Sequence, residues 1–155
     1  MYRLLIYSFL FFLLDQLSKW LIVFYLELNT RLRMDLNNQF LNFHMAWNKG
    51  INFGLFESES SAQVYFLFLI SILISAALFL WVKKTTNYAI QLSSSLVIGG
   101  AVGNLFDRLT YFAVPDFIDF HINNYHWFTF NVADIFISIG IFLMVIKEFF
   151  IKKKL

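Results

Sequence analysis

The feature that most constrains the fold is a stretch of apolar residues long enough to cross a membrane. Residues 62–82 contain no charged side chain, and Gln63 is the only strongly polar residue among them. A helix rises ~1.5 Å per residue, so about 20 apolar residues span the hydrocarbon core of a bilayer. Residues 4–26, 89–106 and 134–150 are similarly apolar. The sequence therefore predicts an all-α integral membrane protein with four transmembrane helices.

The composition supports a membrane protein and excludes several other classes. Apolar residues make up 59% and charged residues 14% of the 155 residues, against about 45–50% and about 25% in ordinary soluble proteins. A soluble globule of this size has too little interior for so many apolar side chains, and disorder requires low hydrophobicity. The absence of Cys excludes a disulfide scaffold and thiolate chemistry. The net charge of +2 indicates no nucleic acid partner, and the length indicates one domain, 1–155.

The basic residues predict how the four helices are oriented. With four spans, both termini and the short 83–88 loop face the same side. The basic residues on that side are Arg3, Lys83, Lys84, Lys147, Lys152, Lys153 and Lys154. The positive-inside rule therefore predicts cytoplasmic termini. The long segments 27–61 and 107–133 then lie outside, which places function on the outer side. No small-residue cleavage site follows the first apolar stretch, so we expect the first helix to be retained.

One outer segment has the alternation of a β-strand. Large apolar side chains occupy every second position of residues 41–47, between small or polar ones. This is the period of a half-buried strand, and a turn containing Asn48 and Gly50 follows it. The prediction is a small extracytoplasmic β-sheet among long outer loops.

Two charged residues stand inside the first apolar stretch, where an ionisable group costs about 2.5–3.5 kcal/mol on insertion scales. Asp15 and Lys19 are four residues apart, so they share one helix face and can form an ion pair. Two interpretations stay open at this point. The two residues belong to a functional site, or they are structural, either as an ion pair or with Lys19 reaching the outer interface.

The third predicted helix carries small residues and then polar ones. Gly99 and Gly103 form a face that lets helices approach closely. Asn104, Asp107 and Arg108 follow at the predicted outer end of the helix. Taken alone, these three residues fit a helix cap and a surface ion pair.

Further polar residues occur at two places near the predicted outer surface. Asp116 lies among apolar residues in 114–120, which indicates a segment lying in the membrane interface or an ordinary re-entrant loop. Asn131 and Asp134 open the fourth helix, where either could simply cap it. All the polar residues of these segments map to the outer third of the membrane or just above it. Independent caps would occur at both membrane faces, so we interpret the one-sided cluster as a site.

Carboxylates are the reactive groups that the sequence offers. His44, His121 and His126 lack the spacing of a metal-binding motif, so no metal site and no cofactor are predicted. Two Asp side chains brought close together cannot both ionise cheaply. The protonated one can donate to a carbonyl oxygen, while the ionised one takes a proton from water. Such a pair hydrolyses a peptide bond without a covalent intermediate, and it titrates as a unit.

Five segments together resemble the lipoprotein signal peptidases, also called signal peptidase II. They occur in the order in which that family has them, and they cover most of the chain. Pro115 stands where many family members have Val or Ile. The segments are 15–19 (DQLSK), 48–54 (NKGINFG), 103–108 (GNLFDR), 114–120 (VPDFIDF) and 130–134 (FNVAD).

The resemblance implies an aspartyl endopeptidase of the bacterial cytoplasmic membrane, with its active site near the outer face. The implied substrate is a diacylglyceryl-modified prolipoprotein, cut just before the lipidated Cys. Membrane lipid and globomycin-type peptide inhibitors are further implied partners, and a monomer is expected. The family's catalytic pair matches Asp116 and Asp134. The positions that support the site or bind substrate match Asp15, Lys19, Asn48, Gly50, Asn104, Asp107, Arg108 and Asn131.

Within the catalytic pair, a helix N-terminus favours negative charge, so we expect Asp134 to be ionised and Asp116 to be protonated. Two other functional classes compete with a peptidase. A proton-coupled transporter would place ionisable groups near the bilayer midplane and would contain internal repeats, whereas the acids here lie at one interface and no repeat is found. A non-catalytic membrane scaffold would keep working after both aspartates were replaced by Asn.

Overall fold

Helices make up most of the computed structural model, which describes residues 1–36, 38–50, 61–123 and 125–152. In this part of the chain the helices are α1 (Tyr2–Lys19), α2 (Leu28–Arg31), α3 (Ser61–Val82), α4 (Tyr88–Tyr111) and α5 (Val132–Lys152). The predicted 83–88 connection is a tight turn. Its Asn87 side chain caps α4 by accepting hydrogen bonds from the backbone N–H groups of Ala89 and Ile90.

Three segments within the described residues are long and apolar enough to cross a membrane, namely Tyr2–Tyr25, Tyr65–Val82 and Tyr88–Tyr111. Large apolar side chains such as Phe9 and Phe66 are exposed on them, as expected for surfaces that a lipid bilayer covers. The predicted fourth span folds as α5, but it is not among these three segments. The four-span count therefore stays a prediction.

The first predicted helix, 4–26, is not one continuous α-helix. α1 ends at Lys19, and Trp20–Tyr25 forms a π-helical segment. The wider turn is closed by a hydrogen bond of 2.9 Å from the backbone N–H of Leu26 to the carbonyl oxygen of Leu21. Turns of this kind are rare in proteins, and those that do occur are often found at functional sites. Here the change of helix type begins directly after Lys19.

α4 is the central helix, and its glycines bring it close to α1 and α5. A Cβ atom on Gly99 would lie 2.6 Å from the backbone oxygen of Ser8 in α1. A Cβ atom on Gly100 would lie 2.6 Å from the backbone oxygen of Ala133 in α5. Gly103 faces α1 as well. The predicted small-residue face is thus confirmed, and it packs α4 against α1.

A four-stranded antiparallel sheet, in the order β1-β2-β3-β4, accompanies the helices. Its strands are β1 (Arg33–Met34), β2 (Leu41–Asn48), β3 (Val114–Ile122) and β4 (Tyr125–Phe130). The predicted strand over residues 41–48 is confirmed as β2, and so is the presence of a small sheet. The all-α class is wrong, because the described residues combine membrane helices with this sheet.

The segment 114–120, predicted as an interfacial stretch or a re-entrant loop, is part of β3. The strand is paired on both edges, with Ala46 of β2 opposite Asp116 and Phe130 of β4 opposite Ile118. Residues 114–117 are all buried. The segment therefore lacks the alternation by which a half-buried strand is recognised in a sequence.

The end of α4 turns the chain directly into β3. Phe112 caps the helix with a φ of 56°, in the left-handed region, and β3 begins two residues later. The third predicted span, 89–106, ends too early, since α4 continues to Tyr111. Asn104, Asp107 and Arg108 therefore lie inside the last turns of α4 and project their side chains from a rigid helix.

A small apolar core packs β3 against the π-helical segment Trp20–Tyr25. Its buried members are Ile22, Val23, Leu28, Met45 and Phe117. They come from the π-helical segment, α2, β2 and β3. Because Phe117 is the neighbour of Asp116 in the chain, this packing positions Asp116 relative to the helices.

Candidate active site

Asp116 is buried in β3, and two asparagines hold its carboxyl group. Asn131 Nδ2 donates to Asp116 Oδ1 at 2.6 Å, and Asn48 Nδ2 donates to Asp116 Oδ2 at 2.9 Å. Asn48 ends β2, and its Oδ1 accepts a hydrogen bond of 2.9 Å from the backbone N–H of Gly50. The turn predicted at these two residues thus orients the Asn48 amide toward Asp116.

Asp134 lies in the first turn of α5. Asn131 and Asp134 cap this helix reciprocally, because each donates its backbone N–H to the side-chain oxygen of the other at 3.2 Å. Asn104 Nδ2 of α4 donates to the remaining oxygen, Asp134 Oδ1, at 3.0 Å. The two residues are therefore a helix cap, as one interpretation of the sequence had it. They also contact residues outside α5.

Asn131 joins the two carboxyl groups. Its side-chain amide donates to Asp116, and its backbone N–H donates to Asp134. Asn131 is fully buried, so solvent cannot replace either hydrogen bond. Asp116 in β3 and Asp134 in α5 thus share a hydrogen-bond partner and belong to one site.

The pKa of Asp116 is raised to about 7. The main cause is burial, which disfavours the charged form, and the second is the negative charge of Asp134 nearby. Hydrogen bonds from Asn48 and Asn131 lower the pKa but are outweighed. Near neutral pH, Asp116 is therefore divided between its protonated and ionised forms.

Lys19 forms a buried ion cluster between α1 and α4. Its Nζ donates to Asp15 Oδ2 at 2.7 Å, to Asp107 Oδ2 at 2.5 Å and to Asn104 Oδ1 at 2.9 Å. The ammonium group thus has an acceptor for each of its three hydrogens. Asp15 Oδ1 also accepts from the backbone N–H of Ala133 at 2.9 Å, which ties the cluster to the start of α5. Asp15 and Lys19 are a buried ion pair, with exposures of 0% and 3%.

Asn104 connects this cluster to Asp134. Its Oδ1 accepts from Lys19, and its Nδ2 donates to Asp134. Because one amide makes both bonds, its orientation is fixed and only a donor can face Asp134. Asn104 therefore links Asp134 to Lys19 and, through Lys19, to Asp15 and Asp107.

Arg108 ties the end of α4 to the turn after β2. Its Nη1 donates to the backbone oxygen of Asn104 at 3.3 Å, and its Nη2 donates to that of Gly50 at 3.2 Å. Residues 51–54, the rest of the motif that begins at Asn48, lie outside the described residues. Every predicted site residue is thus in the network around Asp116 and Asp134.

A cavity of about 390 Å³ opens beside this network, between α3, α4 and α5. Asn104, Arg108 and Asp134 form its polar end. The rest of the wall is mostly apolar. It is formed by Leu67, Ile70, Ser71, Ile74, Ser75, Val97, Ala101, Ile137 and Ile141. An extended apolar chain could lie here with one end at Asp134.

One member of the network was not among the predicted site residues. Gln16 Nε2 lies 3.1 Å from both Asp15 Oδ2 and Asp107 Oδ1, and 3.3 Å from the backbone oxygen of Gly103. A polar amide next to Asp15 in an apolar stretch is the signal in the sequence that points to it. Gln16 supplies a second donor to the two carboxylates that Lys19 holds.

Comparisons with known proteins identify the family of this chain. The family model described as signal peptidase (SPase) II matches residues 7–150. The lipoprotein signal peptidase of Pelagibacter ubique (strain HTCC1062) is 42% identical over 145 residues, which cover 92% of this chain and 85% of that protein. The lipoprotein signal peptidase of Coxiella burnetii (strain RSA 331 / Henzerling II) is 43% identical over 142 residues, covering 90% and 85%.

Solved structures show the same architecture. A bacterial membrane enzyme solved by the in meso method at 2.3 Å resolution matches with a TM-score of 0.80 and 28% identity, over 96% of this chain and 88% of that one. A second such enzyme, solved at 1.9 Å, gives 0.79 and 29%, over 95% and 92%. The resemblance predicted from five motifs is confirmed, and the chain belongs to the signal peptidase II family of membrane proteases.

Proposed function

We propose that this protein is an aspartyl endopeptidase that removes the signal peptide from diacylglyceryl-modified prolipoproteins, cutting before the lipidated Cys. Asp116 and Asp134 are its catalytic residues. The observation that carries the proposal is the pair of carboxyl groups joined by Asn131, one of which has a pKa raised to about 7. A protonated and an ionised carboxyl side by side are what peptide hydrolysis by water requires.

The two carboxyls take different roles. Both Asp134 oxygens accept hydrogen bonds, and the residue lies in the first turn of α5, where the helix dipole interacts favourably with negative charge. Asp134 therefore takes a proton from water while the water oxygen bonds to the scissile carbonyl carbon. Asp116 gives its proton to the carbonyl oxygen, producing a tetrahedral diol. The C–N bond then breaks as Asp116 takes a proton from a diol hydroxyl and Asp134 gives its proton to the leaving amine.

The substrate would lie along the cavity between α3, α4 and α5. Its apolar wall suits the apolar end of a signal peptide, and its polar end contains Asp134. The acyl chains would stay in the lipid beside the exposed helix faces. The proposal also includes cytoplasmic termini, an active site near the outer face and a monomeric protein. Globomycin-type peptides would inhibit by occupying the same cavity.

Lipid dependence of cleavage tests the proposal. The purified full-length protein in detergent receives a diacylglyceryl-modified prolipoprotein or the same precursor without lipid. We expect cleavage before the Cys, with the lipid-free precursor cut more than about tenfold more slowly, because the binding energy of the acyl chains is lost. Mass spectrometry of the products gives the cut site. Equal rates for the two precursors would contradict a lipid-modified substrate.

A further inference from the structure

Three potential metal ligands meet on the β3–β4 hairpin, away from the residues used above. Asp119, His121 and His126 each present one ligand atom, and these atoms all lie within 4.8 Å of one another. The hairpin register explains the meeting, since His121 is paired directly with His126. The two imidazole rings stack with centroids 5.2 Å apart.

Two of these side chains are buried, which is unusual for groups that carry or accept charge. Asp119 is 3% exposed and His121 is 5% exposed. His121 Nδ1 is buried without a hydrogen-bond partner among the described residues. Asp119 Oδ2 and His126 Nδ1 are 2.6 Å apart, so a hydrogen must lie between them. This pair leaves His121 Nδ1 without a partner among the described residues, although a buried polar atom normally has one.

The cluster has its own access to solvent. A cavity of about 400 Å³ is lined by Asp119 and His126 together with Arg33 and His44. Among the described residues, Arg33 is the one Lys or Arg that lines this cavity, and its charge is compensated by Asp35 at 2.7 Å. An ion could therefore reach Asp119 and His126 from outside.

The cluster is also separate from the candidate active site. Asp119 is three residues from Asp116 along β3. Successive side chains of a strand point to opposite faces, so these two carboxyls face away from each other. An ion held by Asp119 would not contact Asp116.

We propose that Asp119, His121 and His126 form a binding site for a divalent transition-metal ion, for which Zn²⁺ is the probe. Two imidazoles and one carboxylate are a ligand set that zinc accepts, with a fourth position left for water. Ligands of a tetrahedral zinc ion lie about 3.3 Å apart, given bonds of about 2.0–2.1 Å, so small side-chain rotations complete the site. The metal replaces the hydrogen between Asp119 and His126 and gives His121 a polar partner.

Calorimetric titration of ZnCl2 into full-length protein that carries no polyhistidine tag tests the site. We expect saturable binding of one ion by the wild type. His126 is the test position, because its side chain is 43% exposed and His126→Gln should fold. Loss of this ligand is expected to weaken binding by about tenfold or more. His44→Gln is the matched control, since His44 lines the same cavity but is outside the three-residue cluster.

Thermal unfolding supplies a second measurement that does not depend on peptidase activity. Zn²⁺ should raise the Tm of the wild type and of His44→Gln, because a ligand that binds only the folded state stabilises it. At a Zn²⁺ concentration near the wild-type Kd it should raise the Tm of His126→Gln much less than that of the wild type, and Asp119→Asn should behave in the same way. Absence of saturable binding by the wild type would overturn the proposal. Wild-type affinity in His126→Gln, or an equal loss in His44→Gln, would overturn it as well.

Discussion

Replacement of Asp134 by Asn is expected to lower the rate of prolipoprotein cleavage by roughly 10³-fold or more, because the base that takes the proton from water is lost. An amide has nearly the shape of a carboxylate, and its oxygen can still accept one of the hydrogen bonds from Asn104 and Asn131. The variant should therefore insert and fold. The cleavage rate at saturating lipidated substrate measures the loss.

Asp35→Asn is the matched control for this prediction. Its carboxyl is exposed and paired with Arg33 at the surface, so the same chemical change should leave the rate unaltered. Asp116→Asn should be as inactive as Asp134→Asn, because the pair acts as a unit. A folded Asp134→Asn protein that cleaves at close to the wild-type rate would exclude the aspartyl mechanism and reopen the transporter and scaffold alternatives.

Replacement of Lys19 by Met is expected to lower the free energy of unfolding by about 3–5 kcal/mol, the usual cost of removing one partner from a buried ion pair. The side chains of Lys19, Asp15 and Asp107 are at most 4% exposed. Without the ammonium group, two buried carboxylates face each other with no cation between them. Reversible unfolding in mixed detergent micelles measures the change.

Arg33→Met is the control, because it breaks an ion pair of the same length that is exposed instead of buried. The Arg33–Asp35 pair is as short as the Lys19–Asp15 pair, 2.7 Å in each case, but its side chains are 53% and 59% exposed. An exposed pair contributes about 0–1 kcal/mol, so this variant should unfold almost like the wild type. A loss for Lys19→Met as small as the loss for Arg33→Met would mean that the buried cluster does not stabilise the fold.

The helices and the presence of a polar site could be predicted from two strong signals in the sequence, whereas the pairing of Asp116 with Asp134 was implied by the resemblance to a family. A bilayer imposes a length of apolar sequence on every span, so hydropathy locates the helices. Polar residues confined to one side of the membrane indicate a common site. Neither signal reveals the local conformation of the backbone. The change to a π-helix at Trp20–Tyr25 leaves no trace in a uniformly apolar stretch.

Strand β3 was missed because its burial removes the pattern that reveals strands. Residues 114–117 are all buried, and Pro115 argues against a strand since it lacks a backbone donor. Pro115 lies next to the start of β3, opposite Trp47, where a proline is tolerated. The group of Asp119, His121 and His126 was missed for a different reason. Their proximity depends on the pairing of β3 with β4, and a register shift occurs there between Phe120 and His121.

Asp116 and Asp134 are proposed to act as one acid–base pair. A 13C NMR titration of the Asp116 carboxyl, assigned with Asp116→Asn, tests this pairing most directly when wild type and Asp134→Asn are compared. We predict a pKa of about 7 in the wild type. In Asp134→Asn the pKa should fall, because an amide carries no charge, yet stay above its ordinary value of 3.8 because Asp116 remains buried. An ordinary pKa in the wild type, or the same pKa in both proteins, would show that the two carboxyls do not form a pair.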